Sequence, residues 1–194
     1  ILKKRNKCFS SLVKQIGSIT FKKRILDFEA LIGIIIKQQL SNSASKSIIE
    51  KLKTLFPNSK RITPNDIKKI KTNDLRHTGI SFSKIEFIKN LSKKIIENPN
   101  LFENWGKLNT EEAFKEIQKI KGFGPWSTSI ILLFHLGRID IFPRGDTTLE
   151  KAYLKIYGSS LDKNLKKLNW CIPYRGVLAI YLWKWVDQGM IDLE

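Results

Sequence analysis

The stretch Ile120-Lys121-Gly122-Phe123-Gly124-Pro125-Trp126-Ser127-Thr128 decides how this chain is read. An amphipathic run, Thr110 to Lys119, leads into it, and an apolar run, Ile130 to Leu136, leads out. Two glycines with one residue between them therefore sit at the turn between two predicted helices. Glycine tolerates positive φ and close approach by another backbone. Such a turn can lay backbone N–H groups, together with those of the following helix's first turn, against an anion. Phosphate suits that geometry. The same pattern is also found in plain tight turns, so the rest of the chain has to decide.

The 194 residues allow one compact unit or two small lobes, and 42% of them are hydrophobic, enough for a real core. Thirty-five Lys and Arg face 18 Asp and Glu, giving a net charge of +17. That excess points to a polyanion, most simply nucleic acid. A lysine-rich solvated surface gives the same charge without any partner. Cys8 and Cys171 are far apart and too few for a four-cysteine iron–sulfur or zinc site, or for a disulfide framework. A reducing compartment is the expectation. No apolar stretch reaches the roughly 18 residues needed to span a membrane, and no signal peptide is visible. The start at Ile1 rather than Met is read as a processed or trimmed N-terminus.

Elsewhere the apolar spacing is helical. Phe9, Leu12, Val13 and Ile16 mark a first short helix, and Phe28 to Gln39 a central buried one. Ser41 or Ser43 caps the next, with Ile48, Ile49, Leu52 and Leu55 on one face and Pro57 beyond. Thr63-Pro64 starts another, as does Ser81 or Ser83, with Ile85, Ile88, Leu91 and Ile95 inward. Asn109 and Glu112 form a capping box for the helix entering the glycine turn. Gly137 to Gly145 is too broken for helix; helix resumes from Thr147 to Tyr157. A last helix from near Pro173 carries Leu178, Tyr181, Leu182 and Trp185, and Gly189 suits its end. No strand-period alternation stands out. The fold class is all-α.

Asp146 stands just before Thr147, where Asp is also a preferred helix cap. A carboxylate held charged there can stabilise positive charge developing in a transition state. Trp126 follows the turn, while Trp170, Tyr174, Tyr181, Trp183 and Trp185 crowd the C-terminal segment. They read as core packing or as a stacking pocket for a flat base. Gln38-Gln39-Leu40-Ser41-Asn42 ends the most apolar helix with polar groups around one leucine, either a polar helix end or a surface wedge.

Together these pieces resemble the helix-hairpin-helix DNA glycosylase superfamily, and within it the alkylpurine (3-methyladenine) DNA glycosylase II family. Four blocks occur in the family's order, across roughly Phe28 to Trp185. Phe28-Glu29-Ala30-Leu31 with Gln38-Gln39-Leu40-Ser41 is similar to the first, and Leu75-Arg76-His77-Thr78-Gly79-Ile80-Ser81 with Lys84 to the second. Ile120 to Thr128 is similar to the hairpin, and Asp140-Ile141-Phe142-Pro143-Arg144-Gly145-Asp146 to the segment carrying the catalytic aspartate.

The resemblance implies two α-helical lobes with a DNA-binding cleft between them: residues 28–135, and residues 1–27 with 136–194. It implies double-stranded DNA containing damaged bases as the partner of a monomer, with no membrane involved. Asp146 would be catalytic, and Trp126 and Trp183 would line the base pocket. Gln39 and Leu40 would fill the gap left by a flipped nucleotide. Gly122, Phe123, Gly124, Ser127 and Arg144 would contact DNA. A sodium or potassium ion would sit on the main-chain carbonyls of Gln118, Ile120 and Phe123; no cofactor would serve catalysis and no iron–sulfur cluster is expected. The protein would work in the cytoplasm, on the nucleoid, of a prokaryote or in the nucleus of a eukaryote.

Two departures from the family bear on substrate range. The N-terminal β-domain of roughly a hundred residues that some members carry has no room in this chain, and position 130, aromatic in some alkylpurine enzymes, is Ile. Members with lyase activity carry a lysine two residues after the second hairpin glycine; Trp126 stands there. Without a positioned amine no Schiff base forms, so the expected activity is monofunctional excision of 3-methyladenine and 7-methylguanine type bases. A non-catalytic DNA-binding module, or a glycosylase for oxidised or mismatched bases, would also account for the hairpin and the charge.

Overall fold

The structure is a computed structural model, and it describes residues 1–57 and 61–189. Among the described residues every regular element is helical. In chain order they are α1 (Leu2–Arg5), α2 (Lys7–Ile16), α3 (Phe28–Lys37), α4 (Asn42–Thr54), α5 (Pro64–Lys69) and α6 (Thr72–His77). There follow α7 (Phe82–Glu97), α8 (Leu101–Lys107), α9 (Thr110–Gln118), α10 (Pro125–Ile130), α11 (Thr147–Tyr157) and α12 (Arg175–Asp187). A π-helical turn, Ile131–His135, continues α10, and a 3-10 turn, Lys166–Cys171, precedes α12. No described helix is long and apolar enough to cross a membrane.

The chain divides into two compact units, one continuous (Arg24–Ile131) and one made of Ile1–Lys23 with Leu132 onward. The continuous unit is built on α3. Leu31, Ile32, Ile35 and Ile36 are 0–1% exposed, so this helix is buried around most of its circumference. Asp27 caps it, accepting from Ala30 N at 2.8 Å. Helices α4 and α7 pack against α3, and α5 packs on α7. Ser41, Thr63, Ser81 and Asn109 all cap helices, the second and fourth as full capping boxes.

In the other unit α12 packs on α2 and α11. Phe9, Leu12, Leu149, Leu168, Leu178 and Leu182 form the centre of its core. Tyr181 and Trp185 belong to that core: the Tyr181 hydroxyl donates to Gly17 O at 3.1 Å, and Trp185 Nε1 donates to Gln15 Oε1 at 3.2 Å. Core packing, rather than base stacking, is the role of these two aromatics. Cys8 is exposed, whereas Cys171 is buried and its thiol is pushed up to about 12 by loss of solvent.

Three elements depart from the sequence expectation. The central helix ends at Lys37 rather than Gln39. The last helix begins at Arg175, because Lys166–Cys171 winds as a 3-10 turn before Pro173. The apolar run after the glycine turn is helical only to Ile130 and then widens into the π turn.

Candidate nucleic-acid interface and catalytic aspartate

In the continuous unit the hairpin lies between α9 and α10. Gly122 has φ +100°, a conformation that L side chains rarely adopt. A Cβ there would also fall 2.6 Å from Cγ of Phe87, on α7. Gly122 is thus required by backbone and packing at once. Gly124 differs. Its φ is −84°, and a Cβ there would meet nothing within 4 Å. The space above Gly124 is open, and Gly124 is the residue from which α10 starts. Phe123 is 3% exposed, so only its backbone is available to a ligand. Lys121 turns outward, its Nζ 2.6 Å from Glu86 Oε1.

The side chain of Ser127 is 2% exposed, and its hydroxyl accepts from Gln38 Nε2 at 2.8 Å. Gln38 Nε2 also donates to Gly122 O at 2.7 Å. Ser127 therefore braces the hairpin with its hydroxyl. Gln38 joins the hairpin to the end of α3, where Gln39 takes φ +55° and Leu40 is 39% exposed. Lys84, on α7, donates from Nζ to Ile36 O at 2.8 Å and to Gln38 O at 2.7 Å. It supplies a cation to helix-end carbonyls that have lost their intrahelical donors. Burial holds the Lys84 ammonium below the usual lysine range. Trp126, the second residue of α10, is half-buried in this unit.

In the other unit a strap runs from Gly137 to Asp146. Asp146 caps α11: Leu149 N donates to Oδ1 at 2.9 Å. Trp183 Nε1, on α12, donates to Oδ2 at 3.2 Å. Each carboxylate oxygen thus has a donor, which fixes the side chain's rotation. One face of the Trp183 ring stacks on Phe134, with centroids 5.8 Å apart and planes 30° apart. Arg144 is exposed on the turn just before Asp146. The strap itself is gripped at Asp140, whose carboxylate accepts from Arg175 Nε and Nη2, each at 2.8 Å.

The predicted residues therefore fall into two groups. Gln39, Leu40, Gln118, Ile120, Gly122, Phe123, Gly124, Trp126 and Ser127 lie in the continuous unit; Arg144, Asp146 and Trp183 lie in the other. Sequence reading passed over the bonding roles of Gln38 and Lys84, and over Arg175 and Gly176 altogether. Their partners lie 35 to 89 residues away, and a helical period gives no sign of such pairings. Among the described residues no three His, Cys, Asp or Glu side chains cluster as metal ligands.

Residues 32–170 match the model of the HhH-GPD superfamily base excision DNA repair proteins, and the chain belongs to that superfamily. Its relatives are particular. It is 33% identical over 187 residues to the alkylbase DNA glycosidase-like protein mag2 of Schizosaccharomyces pombe, covering 91% of this chain and 86% of that one. It is 29% identical over 163 residues to DNA-3-methyladenine glycosylase 1 of the same yeast, covering 81% of this chain and 71% of the relative. Among solved structures, the Schizosaccharomyces pombe 3-methyladenine DNA glycosylase in complex with abasic DNA superposes with a TM-score of 0.85. There the identity is 26%, and 96% of each chain is covered.

Proposed function

We propose that this protein is a DNA glycosylase that removes alkylated purines, of the 3-methyladenine and 7-methylguanine type, in base excision repair. The observation that carries the reading is Asp146, a carboxylate fixed by Leu149 N and Trp183 Nε1 in a chain of this superfamily. Similarity to relatives named for alkylbase and 3-methyladenine excision supports the substrate class.

Extrusion of the target nucleotide costs a few kcal/mol, least for a damaged pair. Alkylation at N3 or N7 leaves the purine cationic and a good leaving group, so no protein acid has to protonate it. The C1′–N bond breaks with its electron pair going to the base, which leaves neutral. Asp146 stabilises the cationic sugar and orients the water that adds to C1′, accepting that water's proton. The products are free base and an abasic site. In the unit with the strap, Asp146 and Trp183 would serve the sugar and the base; in the hairpin unit, the N–H groups around Gly124 would take a phosphate, the Trp126 ring would face a base and Leu40 would act as a wedge. Aromatic faces favour a cationic base.

By the family resemblance, the carbonyls of Gln118, Ile120 and Phe123 would hold a monovalent cation. Ile120 O accepts from Phe123 N at 3.0 Å, which leaves it a second lone pair. Such an ion would hold the hairpin turn and draw a phosphate; no chemical step runs through it. The protein acts as a monomer on double-stranded DNA, in the nucleoid or nucleus. Incubation with methylated duplex DNA, followed by chromatography of the released bases, tests the reading. Release of 3-methyladenine or 7-methylguanine is expected. Release of only oxidised or mismatched bases from matching substrates would reassign the substrate, and release of none would leave a DNA-binding module.

A further inference from the structure

We propose that Arg175 is a positioning residue for the reaction: α12 grips the strap at two points and so fixes where Asp146 stands. The proposal rests on the reading of Asp146 as the catalytic carboxylate.

The first grip is at Asp140. Arg175 Nε donates to Oδ1 and Nη2 to Oδ2, each at 2.8 Å, and Arg175 N donates to Oδ1 at 3.3 Å. A bidentate guanidinium–carboxylate pair defines orientation as well as distance. Its two side chains are 28% and 31% exposed, so the pair is partly shielded from solvent. Gly176 completes this grip. Its N–H donates to Ile139 O at 2.8 Å, and a Cβ on it would fall 2.8 Å from Ile139 O and 3.0 Å from Ile141 O. The strap backbone therefore lies directly on the first turn of α12.

The second grip is Trp183 on Asp146. Gly176 and Trp183 are two helical turns apart on one helix, so roughly 10 Å of rigid helix separates them. The strap between them has no helical hydrogen bonds of its own. Its end point is set by α12, which is seated in the core through Leu178 and Leu182, both 0% exposed. With the Arg175–Asp140 pair released, the strap loses the contact that sets its direction along α12, and Asp146 can drift while α11 and α12 stay folded.

The test compares wild type, Arg175→Lys, Asp140→Asn and Asp146→Asn. Three quantities are read: single-turnover excision from methylated duplex DNA, affinity for abasic duplex DNA, and the melting temperature. Arg175→Lys keeps the charge and loses the fork. It is expected to slow excision on the order of 10- to 100-fold, the scale of a displacement of about 1 Å, with abasic-DNA affinity within about twofold of wild type. Asp140→Asn is expected to behave in the same sense and carries the test if Arg175→Lys does not fold. The exchange Asp140→Arg with Arg175→Asp is expected to recover part of the rate. Wild-type excision by Arg175→Lys and Asp140→Asn, with Asp146→Asn inactive, overturns the positioning role and leaves the Asp146 reading standing. Excision by Asp146→Asn at the wild-type rate overturns that reading itself. A parallel fall of rate, affinity and melting temperature in Arg175→Lys means general loss of structure and overturns the proposal.

Discussion

Each unit uses one helix to hold an irregular segment, and the two do so by different chemistry. In the continuous unit α7 holds both the end of α3 and the hairpin. Lys84 gives its ammonium to two carbonyl oxygens, and Phe87 fills the space under Gly122. In the other unit α12 holds the strap with a guanidinium on a carboxylate and an indole N–H on a second carboxylate. The first grip sets a cation on neutral dipoles and relies on packing. The second aims fixed donors at carboxylates, one of them a guanidinium fork, and relies on direction. Under the proposed function, the hairpin side would offer DNA its backbone N–H groups, which carry no sequence readout. The strap side is built to put one carboxylate in one place.

The largest effect that would sharpen this contrast is on Asp146. Asp146→Asn keeps the Leu149 cap and removes the charge, so excision should fall on the order of 10²-fold or more with abasic-DNA affinity little changed. Gel-shift and single-turnover assays on the same preparation check it; a parallel loss of binding would place Asp146 among the DNA contacts instead.

The two hairpin glycines come next, because they separate fold from function within one turn. Gly122→Ala puts a methyl into the Phe87 ring and an L residue at φ +100°. It should cost about 2–4 kcal/mol, a drop of several degrees in melting temperature. Gly124→Ala meets open space and should change stability by less than about 0.5 kcal/mol. Its methyl stands where a phosphate would approach, so DNA affinity should fall on the order of tenfold, the weight of one charge-assisted hydrogen bond. Equal melting temperatures for the two variants would mean that the packing under Gly122 is not as described.

Lys84→Met is smaller again. It leaves Ile36 O and Gln38 O without their cation and should cost about 1–2 kcal/mol, mostly as fraying of the segment around Leu40. Hydrogen exchange at Gln39 and Leu40 should quicken while that of α12 is untouched. The smallest expected effect is none. Borohydride should trap no protein–DNA adduct, because trapping requires an imine and Trp126 stands at the amine position. Efficient strand nicking with trapping by the wild-type protein would assign a nucleophile to another lysine and break the monofunctional reading.

The legible part of this molecule was local. Asp146 reads as a cap because Asp before a helical pattern is a local signal, and α11 starts at Thr147 as expected. The capping box at Asn109 and the positive φ of Gly122 were legible for the same reason. The braces were not. Gln38 reads as a polar helix end, and only the folded chain brings it to Gly122 and Ser127. Asp140 reads only as part of the segment leading to Asp146, and nothing in the sequence points from it to Arg175, 35 positions on. Gly176 has ordinary surroundings in sequence and a crowded one in space. Contacts made across the fold leave no period for sequence reading to find.

The division of the chain also has a consequence for its synthesis. The unit containing α2 is closed only when α12 arrives. Trp185 reaches back to Gln15, and Tyr181 to Gly17, 164 positions earlier. At roughly 5–20 residues per second, α2 waits about 8–33 s on the ribosome for its partner. Meanwhile Arg24–Ile131 has been made without interruption and can fold as a unit. Phe9, Leu12 and Val13 stay uncovered through that interval, on a helix whose other face carries Lys7 and Lys14. A chain halted before α12 emerges would display α2 with the apolar face that Tyr181 and Trp185 should cover still exposed.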